Sequence, residues 1–493
     1  MMTLRSIPAL WLLAGAALAA QSGHNHYRWQ NGWNSVEIET SGQIEFTDDD
    51  TDIKTLSTDG YFELEQRTHD GTKTLVATPA RRTYSVNHST RPFDADAKAW
   101  LALILPKYIR ESAINAPARV QRILRQKGAT AVLADIGKIE SDGSRRIYLN
   151  ELLRTGSLNA EDLREAMRQA RKISSDGEKA ALLMAVASNF RTPATREDYF
   201  YAVDTISSDG EHRRVLSSII QSYGADREMI ARSLRSAKRI SSDGEKAGLL
   251  VEAAGQLLSD EARQNFFRAA DSISSDGERH VVLSAIIRRD GQNKETLDRA
   301  LHSAAMISSD GEKASILEDA AAYYKDDPAL RRAFFDAVAT ISSDGEHRRV
   351  LDALLRRPGL GTETLRDLAH STATISSDGE KGAVLTELAG LGVKDAAMRE
   401  GFFNAASSIS SDGERAQVLI AVLSRGNLDK QGALQLVATA RGISSDGEKA
   451  KVFARVVESF GRDADVSAAV RRAAETLGSD GEYRRVMSLL AAR

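Results

Sequence analysis

Ser174-Ser175-Asp176-Gly177-Glu178-Lys179 decides the fold, because its centre returns along most of the chain. The tripeptide Ser-Asp-Gly recurs with its glycine at Gly143, Gly177, Gly210, Gly244, Gly277, Gly311, Gly345, Gly379, Gly413, Gly447 and Gly481. Successive spacings are 34, 33, 34, 33 and then 34 six times. Self-similarity at that period predicts a stacked array in which no unit buries its apolar face alone. Each unit reads as two helices. After Gly210, the residues Val215, Leu216, Ile219 and Ile220 make one buried helical stripe. A polar break over residues 222–226 follows, and then a second amphipathic stretch over 229–240. An apolar residue closes that second helix before the next motif, at Ile173, Ile206, Ile240, Ile273 and Ile307.

The serine and glutamate of the motif have the spacing of a capping box. Ser175 at the N-cap accepts from the N–H of Glu178, and Glu178 is expected to reach back to the serine N–H. Asp176 and Glu178 also stand in the first turn, where the helix dipole favours negative charge. Glycine at the second helical position costs up to about 1 kcal/mol against alanine in a helix interior. Its elevenfold use predicts a steric reason, with a neighbouring segment passing where a Cβ would sit. Calcium is not expected at the motif, because such sites need six to eight converging oxygens and the first-turn carboxylates face competing N–H groups.

A second beat spans two units. The residue after the glutamate is lysine at 179, 246, 313, 381 and 449, and between them stand Arg145, His212, Arg279, His347, Arg415 and Tyr483. Aromatic pairs keep the same beat at Tyr199-Phe200, Phe266-Phe267, Phe334-Phe335 and Phe402-Phe403, while Val470-Arg471 departs from it. The aromatic pairs read as core. The cations read as a charge ladder along one edge, pairing with carboxylates of adjacent units, or as a row displayed to an acidic partner. The densest basic points are Arg213-Arg214, Arg348-Arg349 and Arg484-Arg485. These six arginines are the candidate partner-binding residues.

The array resembles the HEAT and tetratricopeptide classes of helical-hairpin repeats. The period fits the tetratricopeptide, but its Trp, Leu-Gly, Tyr and Pro pattern is absent, so the resemblance is to the class. It implies a mainly α chain: a right-handed α-solenoid of about ten 34-residue hairpins, paired as 68-residue super-repeats and ~100 Å long at helix-packing distances. A small all-β domain precedes it.

Residues 21–92 carry that β character. Alternating runs fall at residues 35–40, 43–46, 52–56, 61–67, 73–78 and 82–86, separated by turn signals such as Thr58-Asp59-Gly60 and His69-Asp70-Gly71. Gly42-Gln43-Ile44-Glu45-Phe46 with Asp52-Ile53-Lys54 resembles β-rich, adhesin-like modules of bacterial envelope proteins. His24-Asn25-His26 reads as a flexible tail. Asp48-Asp49-Asp50-Thr51-Asp52 reads as a solvated turn, with calcium as the alternative. Residues 93–142 form a helical linker and N-terminal cap of the array, which fills 143–493.

Residues 1–20 read as a cleaved signal peptide. Arg5 precedes an apolar run of 14 residues, short of the roughly 20 that span a bilayer. Export to the periplasm or beyond is expected, with cleavage near residues 19–21 and no transmembrane segment afterwards. The chain has no cysteine, which removes disulfides, thiolate metal sites and cysteine nucleophiles. Its 66 basic and 69 acidic residues give a net charge of −3, without the basic field that nucleic-acid binding needs. No catalytic or dinucleotide motif is present. No catalytic residue, metal ligand or cofactor is assigned. The expected function is a non-enzymatic scaffold that binds a protein or peptide partner in the cell envelope. The alternatives are an envelope sensor or regulatory partner of a membrane receptor, or an enzyme with a site in the β module or at the domain junction.

Overall fold

The computed structural model describes residues 23–492 apart from 157, 258, 394, 426 and 427. The predicted leader, residues 1–20, lies outside the described residues. The chain forms two compact units, Met1–Ile206 and Ser207–Arg493.

The first unit opens with eight strands: β1 (Asn25–Asn31), β2 (Asn34–Ser41), β3 (Ile44–Phe46), β4 (Ile53–Leu56), β5 (Tyr61–Thr68), β6 (Gly71–Ala77), β7 (Arg82–Val86) and β8 (Ser89–Arg91). They form an antiparallel sheet in the order β1-β2-β5-β6-β7-β8, with β3 and β4 as a separate pair. The alternation read from the sequence sets the faces: Val36, Ile38, Phe62, Leu64, Leu75, Ala77 and Tyr84 are buried. Two strands escaped the sequence reading. The expected tail at His24-Asn25-His26 runs into β1, whose Tyr27 and Trp29 pair with Ile38 and Val36. The other, β8, is three exposed residues without an apolar pattern.

Helix α1 (Ala95–Ser112) roofs the sheet. Its Ala97, Trp100, Leu101, Leu105 and Ile109 belong to the same core as the strands, and the Trp100 indole donates to Gln66 at 2.6 Å. Then come α2 (Ala116–Lys127) and α3 (Ala129–Ile136). The acidic run joins these helices to the β module. Asp50, 5% exposed, accepts from Arg119 at 2.7 Å and also pairs with Arg122. Asp52 pairs with Arg82. Asp49 accepts from the hydroxyls of Thr47 and Thr51. What read as a solvated turn is thus half structural staple.

Hairpins follow, each a motif-bearing helix and a second helix. In the first unit these are α4 (Asp142–Leu153) with α5 (Ala160–Arg171), and α6 (Asp176–Val186) with α7 (Pro193–Val203). The second unit holds α8 (Asp209–Ser222) with α9 (Arg227–Ala237), α10 (Asp243–Ala253) with α11 (Asp260–Ala270), and α12 (Asp276–Asp290) with α13 (Lys294–Ala305). It continues with α14 (Asp310–Ala321) and α15 (Pro328–Val338), α16 (Asp344–Leu355) and α17 (Thr362–Ala373), and α18 (Asp378–Gly390) and α19 (Ala396–Ser407). The last are α20 (Asp412–Arg425) with α21 (Lys430–Ala440), α22 (Asp446–Phe460) with α23 (Ala464–Ala474), and α24 (Asp480–Ala491). Within each unit, motif helices stack on motif helices and second helices on second helices, which is the solenoid arrangement.

The two-unit beat is visible in the packing. Second helices approach closely in pairs, α9 with α11, α13 with α15 and α17 with α19. The later member of each pair carries the aromatic doublet. Phe266, Phe334 and Phe402 are fully buried, and each meets its neighbouring ring edge-on at 5.4–5.7 Å.

Candidate functional site

The repeated motif is the place where chemistry recurs along the array. The N-cap bond forms: Ser141 accepts from the Ser144 N–H in the first motif, and each later motif serine accepts from the glutamate N–H, at 3.4 Å for Ser175 and Ser309. The reciprocal half of the capping box does not form, because the serine N–H is already taken. The carboxylate of Asp142 accepts from the N–H groups of Ser174 and Ser175, one unit further on, at 3.0 and 2.7 Å. Asp209 does the same for Ser241 and Ser242, Asp310 for Ser342 and Ser343, and Asp412 for Ser444 and Ser445. Asp243, Asp276, Asp344 and Asp378 repeat the arrangement. Each of these eight aspartates therefore caps the motif loop of the next hairpin. These backbone bonds hold the Asp412 carboxyl below its ordinary range.

Four of the freed glutamates turn to cations of the preceding hairpin, while Glu211, Glu346, Glu448 and Glu482 pair within their own helix. Glu245 pairs with Arg213 at 3.0 Å, Glu380 with Arg348 at 2.8 Å, and Glu178 with Arg146. In a fourth case Glu312 meets His280.

The alternating residue after the glutamate is not a surface ladder. Lys179, Lys246, Lys313, Lys381 and Lys449 are buried, as are Arg145, His212, Arg279 and His347. Lys313 donates to the Thr340 carbonyl at 2.8 Å and Lys179 to that of Thr205 at 3.1 Å, just past the second helix of the same hairpin. A cation there satisfies orphan carbonyls and complements the negative end of the helix dipole. Burial pulls Lys246 and Lys381 below their ordinary range, against the raising influence of nearby motif aspartates. The helix end, not a partner, is what these side chains address.

His212 and His347 fill the same place with an imidazole ring. Each Nε2 lies 2.8 Å from a serine hydroxyl, Ser236 and Ser371 respectively. Burial pushes the His347 pKa down, with Asp344 opposing. The unfolded chain therefore takes up its proton first, near pH 6.5. Stability should fall as pH drops through that value and level off below the folded pKa. Urea midpoints at pH 7.5 and 5.5 should separate less in His347→Gln than in the parent; equal separation would exclude the histidine as the cause.

The glycine has no steric role. A Cβ built on Gly210, Gly277, Gly311, Gly345, Gly379, Gly413 or Gly447 meets nothing within 4 Å, and the backbone there is ordinary helix. Nothing in the fold requires this glycine. Gly311→Ala is therefore expected to be neutral or to stabilise by up to about 1 kcal/mol, from helix propensity alone. A lower melting temperature than the parent would restore the steric explanation.

The six candidate arginines occupy the outward side of α8, α16 and α24. Arg213 pairs with Glu245 and with Glu252 at 2.9 Å, and its guanidinium lies where a Cβ on Gly248 would stand. Arg214 pairs with Glu211. Arg348 bridges Asp352 and Glu380. Arg349 bridges Glu346 and Glu318, and donates to the Ser315 hydroxyl at 2.9 Å. Arg485 faces Glu482 at 3.5 Å, while Arg484 is exposed. The structure thus does not gather the six into one site; Arg213, Arg348 and Arg349 tie neighbouring hairpins together.

A further set of arginines went unread. Arg196, Arg263, Arg331 and Arg399 each stand three residues before an aromatic pair. Arg263 donates to the Thr296 hydroxyl at 2.9 Å, Arg331 pairs with Asp367 and Arg399 with Asp429. These three bridge the wider boundaries between the paired second helices, while Arg196 donates to the Arg191 carbonyl of its own loop. Their spacing on the aromatic beat was the available signal.

No protein-family model matches the chain, and no curated protein sequence matches it significantly. No helix among the described residues is long and apolar enough to cross a membrane.

Proposed function

We propose that the chain is an exported, non-enzymatic scaffold that binds a protein or peptide partner in the cell envelope through the surface of its helical array. The observation that carries this reading is where the motif chemistry goes. Its aspartates join one hairpin to the next and its buried cations tie the two helices of a hairpin together, and stacked hairpins present extended surfaces suited to recognition. Of the six candidate arginines, Arg214, Arg484 and Arg485 turn their guanidinium groups most toward solvent. They are the ones available to an acidic partner group. Cross-linking on intact envelopes, followed by mass spectrometry, tests both halves of the proposal. The recovered chain should lack about the first twenty residues, and its cross-links should converge on one envelope protein. An intact Met1, or cross-links without a recurring partner, would overturn it.

A further inference from the structure

The strands of the large sheet are joined by three two-residue turns at one end. Asn31 pairs with Asn34 across Gly32-Trp33, Thr68 with Gly71 across His69-Asp70, and Val86 with Ser89 across Asn87-His88. Ser35 stands opposite Arg67 and Lys73 opposite Val86, so the three turns lie side by side. Strands sit ~4.8 Å apart, which puts successive turns about 10 Å apart and makes the row about 20 Å long. Helices hold the other end of the sheet. There β2 runs into residues 44–52, where Asn115 donates to the Ile44 carbonyl and Arg119 reaches Asp50. Strand β1 also starts at that far end, with Asn25 opposite Thr40.

The turn end carries a tryptophan that the fold does not use. Trp33 is 95% exposed, and the turn itself is set by Gly32 at φ 59°. Beside it along the row stand Asn31, Asn34, His69, Asp70, Asn87 and His88, all exposed. Asn87 accepts from the Thr72 N–H at 2.8 Å, which leaves its NH2 group to donate. The nearby guanidinium groups are engaged, Arg28 with Glu37 at 3.3 Å and Arg67 with Glu65 at 2.7 Å. A lipid surface needs further apolar side chains or free basic ones around the indole. Amides and imidazoles surround it instead.

We propose that this turn end of the β module binds a neutral saccharide, with Trp33 as the stacking platform. The negative face of the indole quadrupole attracts the polarised C–H hydrogens that one face of a pyranose presents. The sugar hydroxyls, each a donor and an acceptor, then meet the amides of Asn31, Asn34 and Asn87 and the ring of His69. Tight turns fix these groups before binding, which limits the entropy lost. The length of the row suits a chain of sugars rather than a single one. This site goes beyond the scaffold reading and does not depend on it, since no residue of the helical array takes part.

The probes are cellotetraose, maltotetraose and chitotetraose, each titrated into the full chain and followed by saturation-transfer NMR. At least one should bind with a dissociation constant of about 0.1–1 mM, the weak range of an open site with one aromatic anchor. Its ring C–H protons should receive the most saturation. Trp33→Ala should weaken binding more than tenfold, and Asn34→Ala or His69→Ala roughly threefold to tenfold, as for a lost hydrogen bond. Leu103→Ala, at an 81% exposed residue of α1, should leave it unchanged. Melting temperatures equal to the parent's show that the variants are folded. No saturation transfer to any of the three sugars at up to about 10 mM, or equal binding by Trp33→Ala, would overturn the site. Trp33-dependent binding to phosphatidylglycerol vesicles, or Trp33-dependent dimerisation, without sugar binding would overturn it too, and would give the indole to a membrane or to a second copy.

Discussion

Arg119→Met is expected to destabilise the first unit by about 3–5 kcal/mol, the usual consequence of removing one partner from a buried charge cluster. Arg119 is 6% exposed and lies between two carboxylates, donating to Asp50 at 2.7 Å and to Asp135. Its guanidinium also lies 5.6 Å from the ring centroid of Tyr148, whose phenol burial pushes up to about 12 and so keeps neutral. Methionine fills much of the volume but leaves Asp50 and Asp135 without the cation between them. Arg122 still reaches Asp50, and Arg110 still stands 3.8 Å from Asp135, which keeps the loss below that of a fully orphaned pair. Because Asp50 belongs to the β module and Arg119 to α2, the damage should appear at their junction. Hydrogen exchange should speed up in α2 and in residues 44–56 while the strands around Leu64 and Leu75 stay protected. A loss under about 1 kcal/mol, as for an exposed pair, would show that the cluster is solvated.

The period, the hairpin and the aromatic core were legible because they depend on residue type at fixed spacing. Val215, Leu216, Ile219 and Ile220 announce a buried helix face whatever lies opposite, and all four are buried. The function of the motif aspartate was not legible, because its partner is backbone. An N–H group of Ser343 carries no signature that distinguishes it from any other N–H. Lys313 illustrates a different difficulty. Its place on the beat was clear, but a lysine reads as exposed by default, and its carbonyl partner at Thr340 is again backbone. Only the stacking shows that it points inward. The glycine failed in the opposite direction: repetition suggested crowding, and the space around Gly311 is open. Of the candidate site, the positions of the arginines were readable and their engagement was not. Arg349 finds Glu318 and Ser315 in the preceding unit, contacts set by the stacking offset between α14 and α16.

Asp310→Ala carries the next largest effect, about 2–4 kcal/mol. The Asp310 carboxylate accepts two N–H groups, from Ser342 at 3.0 Å and Ser343 at 2.8 Å. Hydrogen bonds to an ionised group contribute about 1.5–3 kcal/mol each. Partial exposure of the loop lets water recover some of that, so the expectation sits below the simple sum. The substitution acts at a boundary rather than inside a helix. Alanine is a good helix former, but α14 also loses a first-turn charge that its dipole favours and that lies 3.8 Å from the Lys313 ammonium, so α14 itself gains little. The next motif loop is what loosens, and with it the N-cap of α16, since Ser343 sets that cap through its hydroxyl and Glu346. In a stacked array, stability is close to a sum of unit and neighbour terms. Exchange should therefore accelerate in residues 341–347 and in the first turn of α16 and leave α8 and α24 near their parental rates. Asp310→Asn keeps an acceptor of the same shape without the charge and should lose roughly half as much. Equal losses for alanine and asparagine would mean that charge, not acceptor geometry, holds the loop. If alanine leaves residues 341–347 as protected as before, the aspartate ladder does not join the units and another contact must.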